Sequence, residues 1–114
     1  MKPEYFWAKT TADGKPGISV RDHCLNVGCV AEALAARLPV SFAERIFAVW
    51  LAACHDIGKI SPGFQQKCEV WLLEQRLTAD ARTRAWVQAE SDHSKASQFT
   101  LRKLFTVAVA SARP

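Results

Sequence analysis

The apolar residues Val20, Cys24, Val27, Ala31, Leu34 and Leu38 recur at steps of four, three, four, three and four. This is the period of one buried face of an α-helix, and it cannot serve a strand, whose inward positions repeat every second residue. Ser19 stands at the N-cap with Asp22 in the capping-box position, and Pro39 ends the run. A second helix opens on Ser41, with Glu44 as its reciprocal partner, and is expected to bury Phe42, Ile46, Val49, Trp50, Ala53 and Ile57 before Gly58 ends it in a left-handed conformation. Ser61-Pro62 begins a third helix, proline being tolerated where the helix has no use for its missing N–H. That helix carries Phe64, Cys68, Trp71 and Leu72. A polar, Arg-rich helical stretch follows from Asp80 to Gln88, and Asp92 caps a last helix from His93 toward Val109. Only Leu104 to Ala110 could be read as strand, and it continues the Ala96/Phe99 face of that last helix. The reading is an all-α domain of about five helices.

A chain of 114 residues suffices for one core and not for two. An apolar fraction of 49% with 23% charged residues excludes disordered, collagen-like and low-complexity classes. No apolar run approaches the ~20 residues of a membrane span, and the start, Met1-Lys2-Pro3-Glu4, lacks a signal-peptide pattern, so a cytoplasmic protein is expected. Cys24, Cys29, Cys54 and Cys68 show no paired zinc-knuckle spacing and read as reduced, mostly buried thiols. The net charge of +4 leans toward the C-terminal half, which suits nucleic acid and equally suits a solvated helix face. The apolar run from Leu104 to Ala110 lies close to the last residue and wants cover. The core is therefore expected to be incomplete at the C-terminus unless a partner, or a second copy in a homo-oligomer, supplies it.

The three histidines each adjoin an acid, as Asp22-His23, His55-Asp56 and Asp92-His93. The middle pair lies in the last turn of an apolar helix, where an ionised Asp is costly unless a cation or hydrogen-bond donors compensate it. Neighbouring helical residues diverge by about 100°, so His55 and Asp56 cannot grip one ion as an i, i+4 pair would. They can face a common site in front of the helix. His23, early in the first helix, would reach it if the short Pro39–Val40 turn makes the two helices antiparallel. Two imidazoles and one carboxylate suit Mn²⁺, Fe²⁺, Co²⁺ or Ni²⁺ better than Mg²⁺. The alternative from the same residues is purely structural: His55 sits at the negative helix end and Asp56 bonds the Gly58–Lys59 backbone.

The string His55-Asp56-Ile57-Gly58-Lys59 resembles the signature of HD-domain metal-dependent phosphohydrolases. Joined to Trp7-Ala8-Lys9-Thr10, to His23-Cys24-Leu25-Asn26-Val27 and to Ser61-Pro62-Gly63-Phe64-Gln65, it is similar to the HD nuclease domain of the CRISPR-associated helicase-nuclease of type I systems. The resemblance covers nearly the whole chain. It implies an HD-domain-like helical bundle over residues 1–114 that holds up to two divalent transition-metal ions and serves antiviral defense. The implied reaction is cleavage of single-stranded DNA, fed by a helicase after a guide-RNA effector complex has opened the target. By position, His23, His55 and Asp56 resemble ligands of the first metal, with Asp56 bridging to the second and His93 its further ligand. Asp56 and Lys59 take the catalytic positions, the lysine beside the centre where it could meet a phosphate. Domains of that kind continue to an adjacent His-His pair and a late Asp, whereas here no His follows His93 and no Asp follows Asp92. The expectation is the N-terminal part of such a domain, without the helicase and impaired by truncation.

Two other classes compete. One is an HD phosphohydrolase acting on nucleotides, against which stand the absent Gly-Tyr-Pro string and the Ser61–Gln65 extension. The other is a non-catalytic helical module that binds the guide-RNA complex, the helicase or itself.

Overall fold

The computed structural model describes residues 5–77 and 88–111. Five α-helices are described, α1 (Val20–Ala35), α2 (Phe42–Cys54), α3 (Pro62–Gln65), α4 (Glu69–Glu74) and α5 (His93–Ser111), with a 3₁₀ turn at Ile57–Ile60 between α2 and α3. Among the described residues the only β-type pairings are isolated bridges, Trp7 with Ser19 and Thr10 with Pro16. The all-α reading holds, and the run after Leu104 is helical within α5. No helix among the described residues is long and apolar enough to cross a membrane.

Local chemistry sets several boundaries. Ser19 Oγ accepts the Asp22 N–H at 3.0 Å, while Ser41 and Glu44 form a complete capping box. Ser61 Oγ caps α3 with Pro62 just inside, and Asp92 Oδ1 accepts the Ser94 N–H at 2.9 Å at the start of α5. Helix α1 stops at Ala35 rather than at Pro39, its last carbonyls taken up by the tight turn through Arg37 and Leu38.

Four further expectations need correction. Helix α2 ends at Cys54, three residues early, and Gly58 does not adopt a left-handed conformation; among described glycines only Gly14 has positive φ, at 78°. Gly58 is needed for a different reason, since a Cβ there would overlap the His93 carbonyl and the Ser97 backbone of α5. The single third helix is two, broken where Cys68 takes extended φ and ψ of −107° and 101°. The break lets Phe64 and Trp71 converge on one N-terminal segment: Phe64 stacks 4.6 Å from Trp7 and Trp71 Nε1–H donates to the Tyr5 carbonyl.

The third correction concerns α2, none of whose residues is buried; Phe42 is 75% exposed and Ile46 54%. From α5, Phe105 reaches its aromatic face, 5.2 Å from Trp50 and 6.1 Å from Phe47. The core lies instead around Trp7, Phe64, Cys68, Trp71 and Leu72. Fourth, the cysteines are free but Cys68 alone is buried, and Cys29 is exposed. The Arg-rich helix expected at 80–88 lies outside the described residues except for Gln88, which is in a turn.

The α1–α2 pair positions the site. Gly28 lets the two helices approach closely, a Cβ there meeting that of Ala53 at 3.2 Å. Both the Ala36/Phe42 end and the His23/His55 end of the pair meet, so the helices run antiparallel.

Candidate metal centre

Helix α2 stops one residue before His55, and Asp56 leaves the helical region with φ −104° and ψ 12°. That departure removes the ~100° divergence of consecutive helical residues, so His55 Nε2 comes to 3.3 Å from Asp56 Oδ2. From the first turn of α1, His23 Nε2 reaches the same oxygen at 2.8 Å. Lys59, held by the 3₁₀ turn, reaches it at 2.7 Å. The other oxygen faces α5, where His93 Nε2 lies 3.3 Å from Asp56 Oδ1. The structure thus brings together all five residues singled out by sequence around one carboxylate. One ligand atom each from His23, His55 and Asp56 fits within a 4.8 Å cluster.

Burial and charge differ across the group. Asp56 and Lys59 are buried, at 6% and 7% exposure, whereas the His55 side chain is half exposed and opens the centre to solvent. Burial by itself would raise the Asp56 carboxyl, but hydrogen bonds from Lys59 and His23 and the charge of Lys59 outweigh it and hold the group below its ordinary value. The neighbouring thiols of Cys24 and Cys54 are pushed up by burial, Cys24 also by the Asp56 charge. The ligand-type atoms that lie together are the imidazoles of His23 and His55 and the Asp56 carboxylate.

The donor set fits a cation on its own chemistry. His55 Nδ1 lies 2.7 Å from the Ala52 carbonyl, which can only accept, so Nδ1 carries the proton. In the neutral ring Nε2 is then a bare lone pair facing a carboxylate oxygen, and two acceptors at that separation call for a proton or a metal ion between them.

A surrounding layer escaped the sequence reading. Gln65 is fully buried and bonds both Trp7 and the Lys59 carbonyl. Ser97 Oγ accepts the Gly58 N–H at 2.8 Å, one turn beyond His93 on the same face of α5. The i, i+4 spacing of His93 and Ser97 is the sequence signal that could have exposed the second; for Gln65 there was only its place in the Ser61–Gln65 string.

The family described as Cas3, HD domain, matches residues 7–113. No curated protein and no solved structure matches the chain. Membership of that family carries a metal-dependent, nuclease-type function in CRISPR systems, with nucleic acid as substrate, and the cluster around Asp56 is of the kind that holds divalent metals in HD domains. A match over all but the first six residues and the last, on a helical fold whose histidines converge on one aspartate, places the chain in the Cas3 HD-domain family.

Proposed function

We propose that this domain hydrolyses single-stranded DNA with divalent transition-metal ions held around Asp56, within antiviral interference. The observation that carries the reading is the division of labour on that carboxylate: His23 and His55 address Oδ2, and His93 addresses Oδ1. His23, His55 and Asp56 would hold the first ion, and Asp56 with His93 a second. Imidazole donors favour Mn²⁺, Fe²⁺, Co²⁺ or Ni²⁺ over Mg²⁺. When bound, the ions supply Lewis acidity to the phosphodiester and its attacking water.

The chain's own residues prepare that chemistry. Asp56 stays ionised across the neutral range because Lys59 and His23 bond it. The Ala52 carbonyl fixes the tautomer that turns the His55 lone pair inward. Lys59 is the cation set to meet a scissile phosphate once Asp56 is otherwise neutralised. The strand would be delivered by a helicase and guide-RNA complex, as the family context suggests.

Among the described residues only Asp56 and His93 address the second position. Two side chains leave most of an ion's coordination to water and hold it weakly, and a two-metal mechanism needs both ions. The reading therefore includes about one tightly bound ion per chain and weak cleavage by these residues alone. Elemental analysis after dialysis against Mn²⁺, run beside degradation of circular single-stranded DNA, tests it. Absence of bound metal in wild type would overturn the assignment, and two ions per chain with brisk Asp56-dependent cleavage would overturn the weak second site.

A further inference from the structure

Gln65 belongs to the Ser61–Gln65 string but has no part in ligation or charge, yet it is completely buried. Its carboxamide is committed on both sides: Oε1 accepts the Trp7 N–H at 3.1 Å, and Nε2 donates to the Trp7 carbonyl at 2.8 Å and to the Lys59 carbonyl at 2.7 Å. Its own carbonyl accepts the Trp7 indole N–H at 3.1 Å. Both amide protons are thus used on main-chain oxygens, one in the N-terminal segment and one in the 3₁₀ turn that carries Lys59. Trp7 is itself anchored in the core against Phe64.

We infer that Gln65 is a positioning residue that clamps the Lys59 main chain to the Trp7 segment and thereby sets the Lys59–Asp56 contact. A buried carbonyl deprived of its donor must move or find another, and here the carbonyl lies on the residue whose Nζ reaches Asp56. The 3₁₀ turn is only four residues long, so a shift at Lys59 is transmitted to Asp56 rather than absorbed. Because that shift would displace the carboxylate of Asp56, Gln65 also tunes metal affinity; that consequence rests on the metal-centre reading above.

A metal-free double-mutant cycle tests the clamp apart from that reading. In urea unfolding, Gln65→Met should lower the midpoint less in a Lys59→Met background than in wild type, because the contact that it sets is already gone. Additive shifts would show a role in packing alone and overturn the inference. Mn²⁺ calorimetry supplies the second readout, with Asp56→Ala as the control for the metal site itself. Gln65→Met should lose roughly tenfold in Mn²⁺ affinity, while Trp7→Phe, which removes the indole N–H bond to the Gln65 main chain and part of the ring packed on Phe64 but keeps the Trp7 main-chain atoms that Gln65 holds, should fall in Tm but stay within about twofold of wild type. Equal losses of affinity in the two variants, or none in Gln65→Met, overturn the inference. If Gln65→Met does not fold, Gln65→Glu, which keeps the volume and the acceptor and loses the donors, decides by the same criteria.

Discussion

His93 and His23 meet different oxygens of Asp56, one 3.3 Å from Oδ1 and the other 2.8 Å from Oδ2. The two histidines are 70 positions apart in the chain, and a carboxylate shared between them divides the centre into two halves of unequal strength. The half with His55 has a second imidazole and Lys59; among the described residues the half with His93 has no further ligand-type side chain on Asp56.

That inequality is testable by removing one histidine at a time. His93→Ala should keep most of the thermal stabilisation by Mn²⁺, because a ligand bound only to the native state raises Tm by mass action and the stronger half is intact. His23→Ala should lose it. Thermal scans with and without Mn²⁺ check this, and equal losses in both variants would sink the division.

Lys59 and Asp56 form a buried pair whose rupture leaves a carboxylate short of a partner. Lys59→Met should destabilise the metal-free protein by about 3 kcal/mol, with Mn²⁺ restoring part of the loss, so its Mn²⁺-induced rise in Tm should at least equal that of wild type. Single-stranded DNA binding should weaken in the same variant. A Lys59→Met protein that no longer responds to Mn²⁺ would make the lysine part of the site's scaffold.

Gly58 is the contact point between the 3₁₀ turn and α5. Gly58→Ala would drive a methyl group into the His93 and Ser97 main chain, and a loss of about 1–3 kcal/mol is expected from overpacking against backbone that cannot rotate away. The displacement should also separate His93 from Asp56. Gly14→Ala meets no atom within 4 Å, so its loss would come only from the left-handed φ of 78°; urea unfolding of both variants compares the two causes.

The acid limb of the stability curve has an identifiable contributor away from the centre. Glu44 is held below its ordinary 4.5 first by the Ser41 backbone N–H and then by the Ser41 side chain. A carboxylate lowered in the folded state binds fewer protons than in the unfolded chain, so its contribution is complete above 4.5 and is lost as pH falls below that value through the folded pKa. Glu44→Gln should flatten this part of the pH profile in metal-free urea titrations. An unchanged slope would mean that the capping box does not persist in solution.

Much of the helical order was legible because its causes are local. Ser19, Ser41 and Asp92 as caps and Pro62 at a first helical position act within a turn or two, and each is found where it was expected; the apolar spacing marked the helices, but Leu34 and Leu38 of the first face are exposed, as is the apolar face of α2. The histidines and Asp56 stood out because an ionised carboxylate at the end of an apolar helix demands compensation. Long-range contacts decided the rest. Whether α2 would run to Ile57 depended on Asp56 turning out of the helix toward His23 and Lys59. Whether residues after Ser61 formed one helix depended on Trp7, 54 positions before Ser61, drawing Phe64 and Trp71 to the same place. The need for glycine at position 58 came from the backbone of α5 rather than from φ. By itself the sequence determined helix propensities, caps and the residues able to carry charge or bind metal, all short-range properties of side chains. Only the tertiary structure decided which oxygen of Asp56 each partner meets and that Gln65 ties Lys59 to Trp7, because buried polar groups take their partners from whatever the packed chain brings within hydrogen-bond reach.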